Sequence, residues 1–136
     1  MHFVAGADNH KIDMDTKSPF GNDSALSPKQ LVLAAICGCA GMDAISLLKK
    51  YNQPTEAFHI EADATLSENG HPIIFKKVHL IFKLKGPLDT IKIKEAIHLT
   101  LTQYCSVSAM ISKSAPISYT IDLNGETVGD GQAHFN

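Results

Sequence analysis

The chain of 136 residues contains no arginine and no tryptophan, and all twelve of its basic residues are lysines. Without arginine, no mechanism can draw a planar, bidentate guanidinium group from this chain. The net charge of −2 and the pI near 6.4 argue against a general nucleic-acid binder, because neutralising phosphates requires a basic surface. The length fits one compact domain covering residues 1–136.

The sequence also shows neither the pattern of a secretory signal nor that of a membrane span. The first residues include neither a basic region nor an apolar run of signal-peptide length, so we expect no secretory signal. The longest uncharged stretch, from Gln30 to Met42, is shorter than the roughly 18 residues that a membrane span needs. With three cysteines, an odd number, we expect a cytoplasmic protein rather than a disulfide framework.

The first predicted helix has a strong start signal. Ser27 is the expected N-cap, Pro28 suits the first helical position, and Gln30 completes a capping box. The helix should run to about Tyr51, and its first half is apolar on every face. A helix of this kind is typically buried on all sides. Because one small subunit supplies little material to surround it, we expect a homodimer with a shared core.

The remaining periodicity predicts an α+β fold in the order ββ-α-ββ-α-α-β. Residues 58–67 and 78–84 alternate between apolar and polar side chains, and Asn69-Gly70 between them is typical of a hairpin turn. Asp89 can cap a second helix, and a third helix is expected to begin at Cys105. Residues 117–123 alternate as a final strand.

The cysteines are the best candidates for chemistry. Cys37 and Cys39 lie about 200° apart around a helix axis, so they cannot line one site together as a redox or zinc pair. Cys105 lies at a predicted helix start, where the helix dipole and free N–H groups stabilise a thiolate. On the residues alone, each cysteine is either inert packing or a reactive thiol.

Other titratable residues give weaker signals. The seven histidines show no metal-ligand spacing, although His59 and His79 could face each other across the polar side of the hairpin. A solvated face explains that pair more simply. Asp43 and Glu95 are candidate acid–base groups that could equally be surface charges. We therefore predict no metal site.

Two segments of the chain resemble a known family. The first helix carries Ser27-Pro28-x-x-Leu31-x-Leu33-Ala34-Ala35-x-x-Gly38-Cys39-x-x-Met42-Asp43, and the third begins with Tyr104-Cys105-Ser106-Val107-Ser108-x-Met110. These motifs are similar to those of the OsmC/Ohr family of thiol-dependent, peroxide-detoxifying proteins. The similarity runs from about Lys11 to Gly131 and is closer to the OsmC-like branch than to Ohr proper.

The resemblance implies an OsmC-like fold, in which an antiparallel sheet packs on a buried central helix within an intertwined homodimer. It also implies an enzyme that reduces organic hydroperoxides in oxidative or osmotic stress defence. Cys39 would attack the peroxide and become a sulfenic acid, Cys105 would resolve it as a disulfide, and an external dithiol would restore both. No bound cofactor or metal, nucleic acid or membrane is implied, and Cys37 has no role.

The chain departs from the family pattern at one point. The peroxidase branches use an arginine, supported by a glutamate just after the helix-starting proline, to stabilise the attacking thiolate. Here there is no arginine, and Lys29 follows Pro28. Two other functions therefore stay open: a non-catalytic module that binds a small apolar ligand and uses its cysteines for packing, and a reactive-thiol sensor or carrier.

Overall fold

Two β-sheets and three α-helices make up the fold in the computed structural model, which describes all 136 residues. Residues 1–34 and 35–136 each form a compact unit. The predicted α+β class is confirmed. In chain order the elements are β1 (Phe3–Ala7), β2 (His10–Met14), α1 (Pro28–Lys50), β3 (Ala57–Leu66), β4 (Phe75–Lys85), α2 (Thr90–Leu99), a π-helical turn (Thr100–Tyr104), α3 (Ser106–Ser112), β5 (Ile117–Leu123) and β6 (Glu126–Gln132).

The first unit is a hairpin followed by a loop that one carboxylate organises. Strands β1 and β2 pair antiparallel. Asp15, directly after β2, is buried and accepts hydrogen bonds from the backbone N–H groups of Thr16, Asn22 and Ser24 and from the Ser24 hydroxyl. The Ser24 hydroxyl contributes most, and together these bonds hold the pKa of the Asp15 carboxyl well below its usual range. The loop therefore depends on a charged Asp15.

Replacing Asp15 with asparagine is expected to lower the stability of the folded chain at pH 7 and to matter less in acid. The folded-state pKa of Asp15 lies below its unfolded value of about 3.9, so its contribution is present above that pH and is lost as the pH falls further. Urea unfolding of wild type and Asp15→Asn should give midpoints that differ at pH 7, and this difference should narrow progressively as the pH falls below about 4. A difference in midpoint that is the same at pH 7 and at about pH 2 would contradict this role.

The second unit contains a four-stranded sheet in the order β3-β4-β5-β6. Strands β3 and β4 form the predicted antiparallel hairpin, and β5 pairs antiparallel with β6. Strands β4 and β5 run parallel, so the sheet is mixed rather than wholly antiparallel as the resemblance implied. Parallel neighbours need a long crossover, and α2, the π-helical turn and α3 together provide it.

Strand β6 was not predicted from the sequence pattern. The segment is short of apolar residues and contains Gly129 and Gly131, which weaken a strand signal. The backbone at Gly131 passes so close to the Tyr119 ring that an added Cβ would lie 2.5 Å from its hydroxyl oxygen. Asn124-Gly125 directly follows β5, the strand expected to be the last, and forms the turn into β6.

The core of this unit lies on one face of the sheet. Phe82 of β4 is fully buried, and its ring meets those of Phe58 and Tyr119 edge-to-face, with centroids 6.3 Å apart in both pairs. The inward side chains of β4 and the apolar face of α2 are buried, as their periodicity predicted: Val78, Leu80, Leu84, Ile93, Ala96 and Ile97. This packing holds α2, the first part of the crossover between β4 and β5, against the sheet.

Helix α1 begins with the predicted capping box. The Ser27 N–H donates to Gln30 Oε1 at 2.8 Å, and the Gln30 N–H donates to Ser27 Oγ at 3.4 Å. The helix is long and apolar enough to cross a membrane, but core helices of soluble proteins often meet the same two criteria of length and composition. One side of it is buried, at Ile36, Ala40, Ala44 and Leu48.

The expectation that α1 is buried on every side is wrong for the single chain. Ala35 and Gly38 are exposed, and Met42 is 76% exposed. A Cβ added at Gly38 would meet nothing within 4 Å, whereas one at Gly41 would contact Phe58 of β3 at 3.6 Å. Only one side of α1 therefore packs on the sheet, and the opposite apolar side has no cover within the chain.

Candidate functional site

Cys39 lies on α1 at the edge of its exposed apolar side and is partly exposed. Asp43, one helical turn later, lies on the same side of the helix. The Cys39 thiol donates toward Asp43 Oδ2 across 3.9 Å, and its Sγ lies 3.8 Å from Ser106 Oγ at the start of α3. The thiol therefore stands between a carboxylate and a hydroxyl, where a small molecule can reach it.

Cys105 is the N-cap of α3, as its predicted place at a helix start requires. Its Sγ accepts hydrogen bonds from the Ser108 N–H at 3.4 Å and from the Ser108 hydroxyl at 3.0 Å. The side chain is completely buried. Burial raises the pKa of the Cys105 thiol to about 11, against the opposing effect of the two Ser108 hydrogen bonds. The position of Cys105 at a helix start lowers the pKa of its thiol less than burial raises it, so the expected reactive thiolate does not form there.

The structure brings Cys39, Asp43 and Cys105 together from two helices. Their two sulfur atoms and the carboxylate oxygen all lie within 4.8 Å of one another. Cys37 is outside this cluster, half-buried, and its pKa is raised chiefly by burial and further by the nearby Glu61 charge. Cys37 and Cys39 therefore point to different sides of α1, as expected, and only Cys39 belongs to the cluster.

No cation of the chain balances the carboxylate in this cluster. None of the four ion pairs within the chain involves Asp43. Lys29, which stands where the peroxidase branches have their glutamate, is an exposed residue in the first turn of α1. Glu95, the other acid–base candidate, accepts a hydrogen bond from the Tyr51 hydroxyl at 3.4 Å instead. The site therefore carries an acidic group and two thiols without a basic partner.

Apolar side chains near the two cysteines are open to solvent. Besides the exposed side of α1, Tyr104 and Met110 are 53% and 64% exposed. Met110 shares the apolar side of α3 with Val107 and Ile111, a spacing that predicts burial, and this prediction is wrong for Met110. Ser108 is buried in its place, because its hydroxyl bonds to the buried Cys105 sulfur. The surface around Cys39 is consequently apolar and uncovered.

The suggested meeting of His59 and His79 across the hairpin does not occur. In the register of the two strands His59 pairs with Lys83, and His79 pairs with Asp63. The ring of His79 contacts the hydroxyls of Ser118 and Thr120 on the neighbouring strand, at 2.7 and 3.2 Å. Both histidines belong to the polar face of the sheet.

Comparisons with known proteins agree on one family. The family model described as OsmC-like protein matches residues 21–120. The protein YhfA of Escherichia coli K12 is 30% identical over 118 residues, which cover 86% of this chain and 85% of YhfA.

Solved structures share the fold at lower identity. The OsmC-like protein of Mycoplasma pneumoniae superposes with a TM-score of 0.77 at 15% identity, over 88% of this chain and 86% of that chain. An organic hydroperoxide resistance protein of Elizabethkingia anophelis gives a TM-score of 0.71 at 16% identity, over 90% and 94% of the two chains. At these identities the likeness is one of fold.

Proposed function

Because the chain belongs to the OsmC-like protein family, we propose that it is a thiol-dependent peroxidase that reduces organic hydroperoxides by a two-cysteine cycle. The observation that carries the proposal is the approach of a partly exposed Cys39 to a buried Cys105, with sulfur atoms within 4.8 Å. The organic hydroperoxide resistance proteins among its structural neighbours point to the same chemistry. A role in oxidative or osmotic stress defence follows from this proposal.

Cys39 is the attacking residue in this cycle. Its sulfur is the more accessible of the two, whereas Cys105 is completely buried and its raised pKa leaves little thiolate at neutral pH. The Cys39 thiolate attacks one peroxide oxygen, the O–O bond breaks, and the alkoxide leaves and is protonated to the alcohol. Cys39 is then a sulfenic acid.

Cys105 is the resolving residue. It loses its proton and attacks the Cys39 sulfur, the S–OH bond breaks, and the hydroxide leaves as water. To reach the S–S length of about 2.05 Å, the two side chains must turn toward each other from their present separation. An external dithiol then reduces the disulfide by thiol–disulfide exchange and is itself oxidised, so no bound cofactor is needed.

The uncovered apolar surface around Cys39 supports two further parts of the proposal. A hydroperoxide with an apolar body suits this surface better than hydrogen peroxide, because apolar contacts can hold it over the sulfur. We also propose that a second copy of the chain covers the open side of α1 in a homodimer. The odd number of reduced cysteines fits a cytoplasmic location.

Counting thiols tests the cycle. The reduced protein has three free cysteines per chain. One equivalent of cumene hydroperoxide should lower the count from three to one and yield cumyl alcohol, since one peroxide oxidises two thiols. A thiol reagent in denaturant measures the remaining thiols, and chromatography measures the alcohol. An unchanged count after many equivalents would contradict the proposal.

A specific observation favours the alternative of a non-catalytic module that binds a small apolar ligand. The neighbour of Cys39 is the Asp43 carboxylate, and no lysine takes the place of the arginine that the peroxidase branches use beside the attacking sulfur. In that case an apolar fluorescent probe would bind the reduced protein, while cumene hydroperoxide would leave all three thiols intact. The thiol count therefore separates the two functions.

A further inference from the structure

We propose that Cys39, Asp43 and Cys105 form a site for a divalent zinc ion in the reduced protein. The expectation of a metal-free chain rested on the lack of ligand spacing among the histidines and on the separation of Cys37 from Cys39, which rules out that pair alone. The fold supplies a different set, with two residues from α1 and one from the start of α3. The site does not depend on peroxidase activity, because metal binding needs only the reduced side chains.

The donor atoms suit zinc in type and spacing. Thiolates and carboxylates are zinc ligands, with bonds of about 2.3 Å and 2.0–2.2 Å, so donors around a tetrahedral ion lie roughly 3.5–3.8 Å apart. Cys39 Sγ and Asp43 Oδ2 are already 3.9 Å apart, and all three donor atoms lie within 4.8 Å. Small rotations of the side chains, which move the donor atoms by about 1 Å, bring them to the separations of a tetrahedral zinc site.

A fourth ligand position is available beside Cys39. The Ser106 hydroxyl lies 3.8 Å from Cys39 Sγ and is not engaged by the carboxylate. Either this hydroxyl or a solvent molecule can complete the tetrahedron. Three protein ligands with an open fourth position are the usual arrangement of catalytic rather than structural zinc sites.

The charge of the cluster also favours a cation. Asp43 makes no ion pair within the chain. The hydrogen-bond partners of the two sulfurs are Asp43, Ser106 and Ser108, none of which is basic. Binding replaces two S–H bonds with two Zn–S bonds, and two protons pass to solvent. The same two sulfurs cannot form a disulfide while they hold the ion, so zinc binding and the peroxide cycle exclude each other.

Cobalt(II) titration of the reduced, full-length protein tests the site, because cobalt(II) replaces zinc and reports its ligands by colour. We expect one cobalt ion per chain and a thiolate-to-cobalt charge-transfer band in the near ultraviolet, which zinc(II) abolishes by displacement. Cys39→Ser should remove most of this band. Asp43→Asn should weaken cobalt binding by at least about tenfold, since even outer-sphere partners of zinc ligands have effects of that size.

Cys37→Ser is the matched control, because Cys37 lies on the same helix outside the cluster. It should bind cobalt(II) as the wild type does, with the same band. Circular dichroism of each variant confirms that the partly exposed positions 39 and 43 tolerate substitution. The proposal is overturned by the absence of a charge-transfer band, by loss of the band in Cys37→Ser, or by unchanged binding in a folded Asp43→Asn. Binding without a thiolate band would place the metal away from the two sulfurs and also overturn it.

Discussion

Replacing Cys39 with serine is expected to reduce peroxide consumption to the uncatalysed rate. The hydroxyl of serine is a far weaker nucleophile than a thiolate, and no other sulfur in the cluster is accessible to replace it. Cys105 is completely buried, and its pKa of about 11 leaves almost no thiolate at pH 7. The consumption of cumene hydroperoxide by the purified protein with an added dithiol measures the effect.

Two further variants distinguish the roles of the three cysteines. Without added thiol, Cys105→Ser should consume one equivalent of peroxide and stop at a sulfenic acid on Cys39, which dimedone labels. Cys37→Ser should behave as wild type, because Cys37 lies outside the cluster. If Cys39→Ser consumes peroxide as fast as the wild type, the assignment of Cys39 is wrong.

Replacing Phe82 with alanine is expected to lower the free energy of unfolding by about 3–5 kcal/mol. Phe82 is completely buried at the centre of β4, and its ring makes edge-to-face contacts with Phe58 and Tyr119. Truncation removes both contacts and leaves a cavity that the β-sheet cannot easily close. Urea unfolding at one fixed protein concentration measures the loss, since self-association changes the apparent stability.

Ile91→Ala is the matched control for this loss. Ile91 is also a large apolar residue, but it lies on α2 with 76% of its surface exposed. Its truncation should change the free energy of unfolding by less than about 0.5 kcal/mol. Equal effects of the two substitutions would show that the core is not organised around Phe82.

The sequence predicts those parts of the fold that local signals determine. The capping box at Ser27, the cap at Asp89 and the helix start at Cys105 are all present, because each depends on a few adjacent residues. The tight turn expected at Asn69-Gly70 is wrong: residues 67–74 form a longer loop between β3 and β4, across which the Ser67 N–H donates to the Ile74 carbonyl. Strand β6 is not predictable in this way. It pairs with β5, and the backbone at Gly131 lies against the ring of its cross-strand partner Tyr119, a contact that the residue pattern within the segment does not indicate.

In the candidate site, too, local signals are predictable from the sequence and tertiary packing is not. Periodicity separates Cys37 from Cys39, and the resemblance pairs Cys39 with Cys105, but neither indicates how buried each sulfur is. Burial of Cys105 arises from tertiary packing and reverses the inference drawn from its helix start. The sequence offered Asp43 as one of two candidate acid–base groups, without indicating which residue it would meet. The i, i+4 spacing between Cys39 and Asp43 indicates that the two side chains share one side of the helix. Only the packing of α3, which brings Cys105 to the same position, shows that they belong to a cluster.

Mapping the disulfide formed after one equivalent of cumene hydroperoxide tests the two-cysteine cycle most directly. The reduced protein is oxidised, its remaining thiols are alkylated in denaturant, and its peptides are analysed by mass spectrometry without reduction. The cycle predicts a single cross-linked species that joins the peptide of Cys39 to that of Cys105, with Cys37 alkylated. A cross-link through Cys37, or full alkylation of all three cysteines, would contradict it.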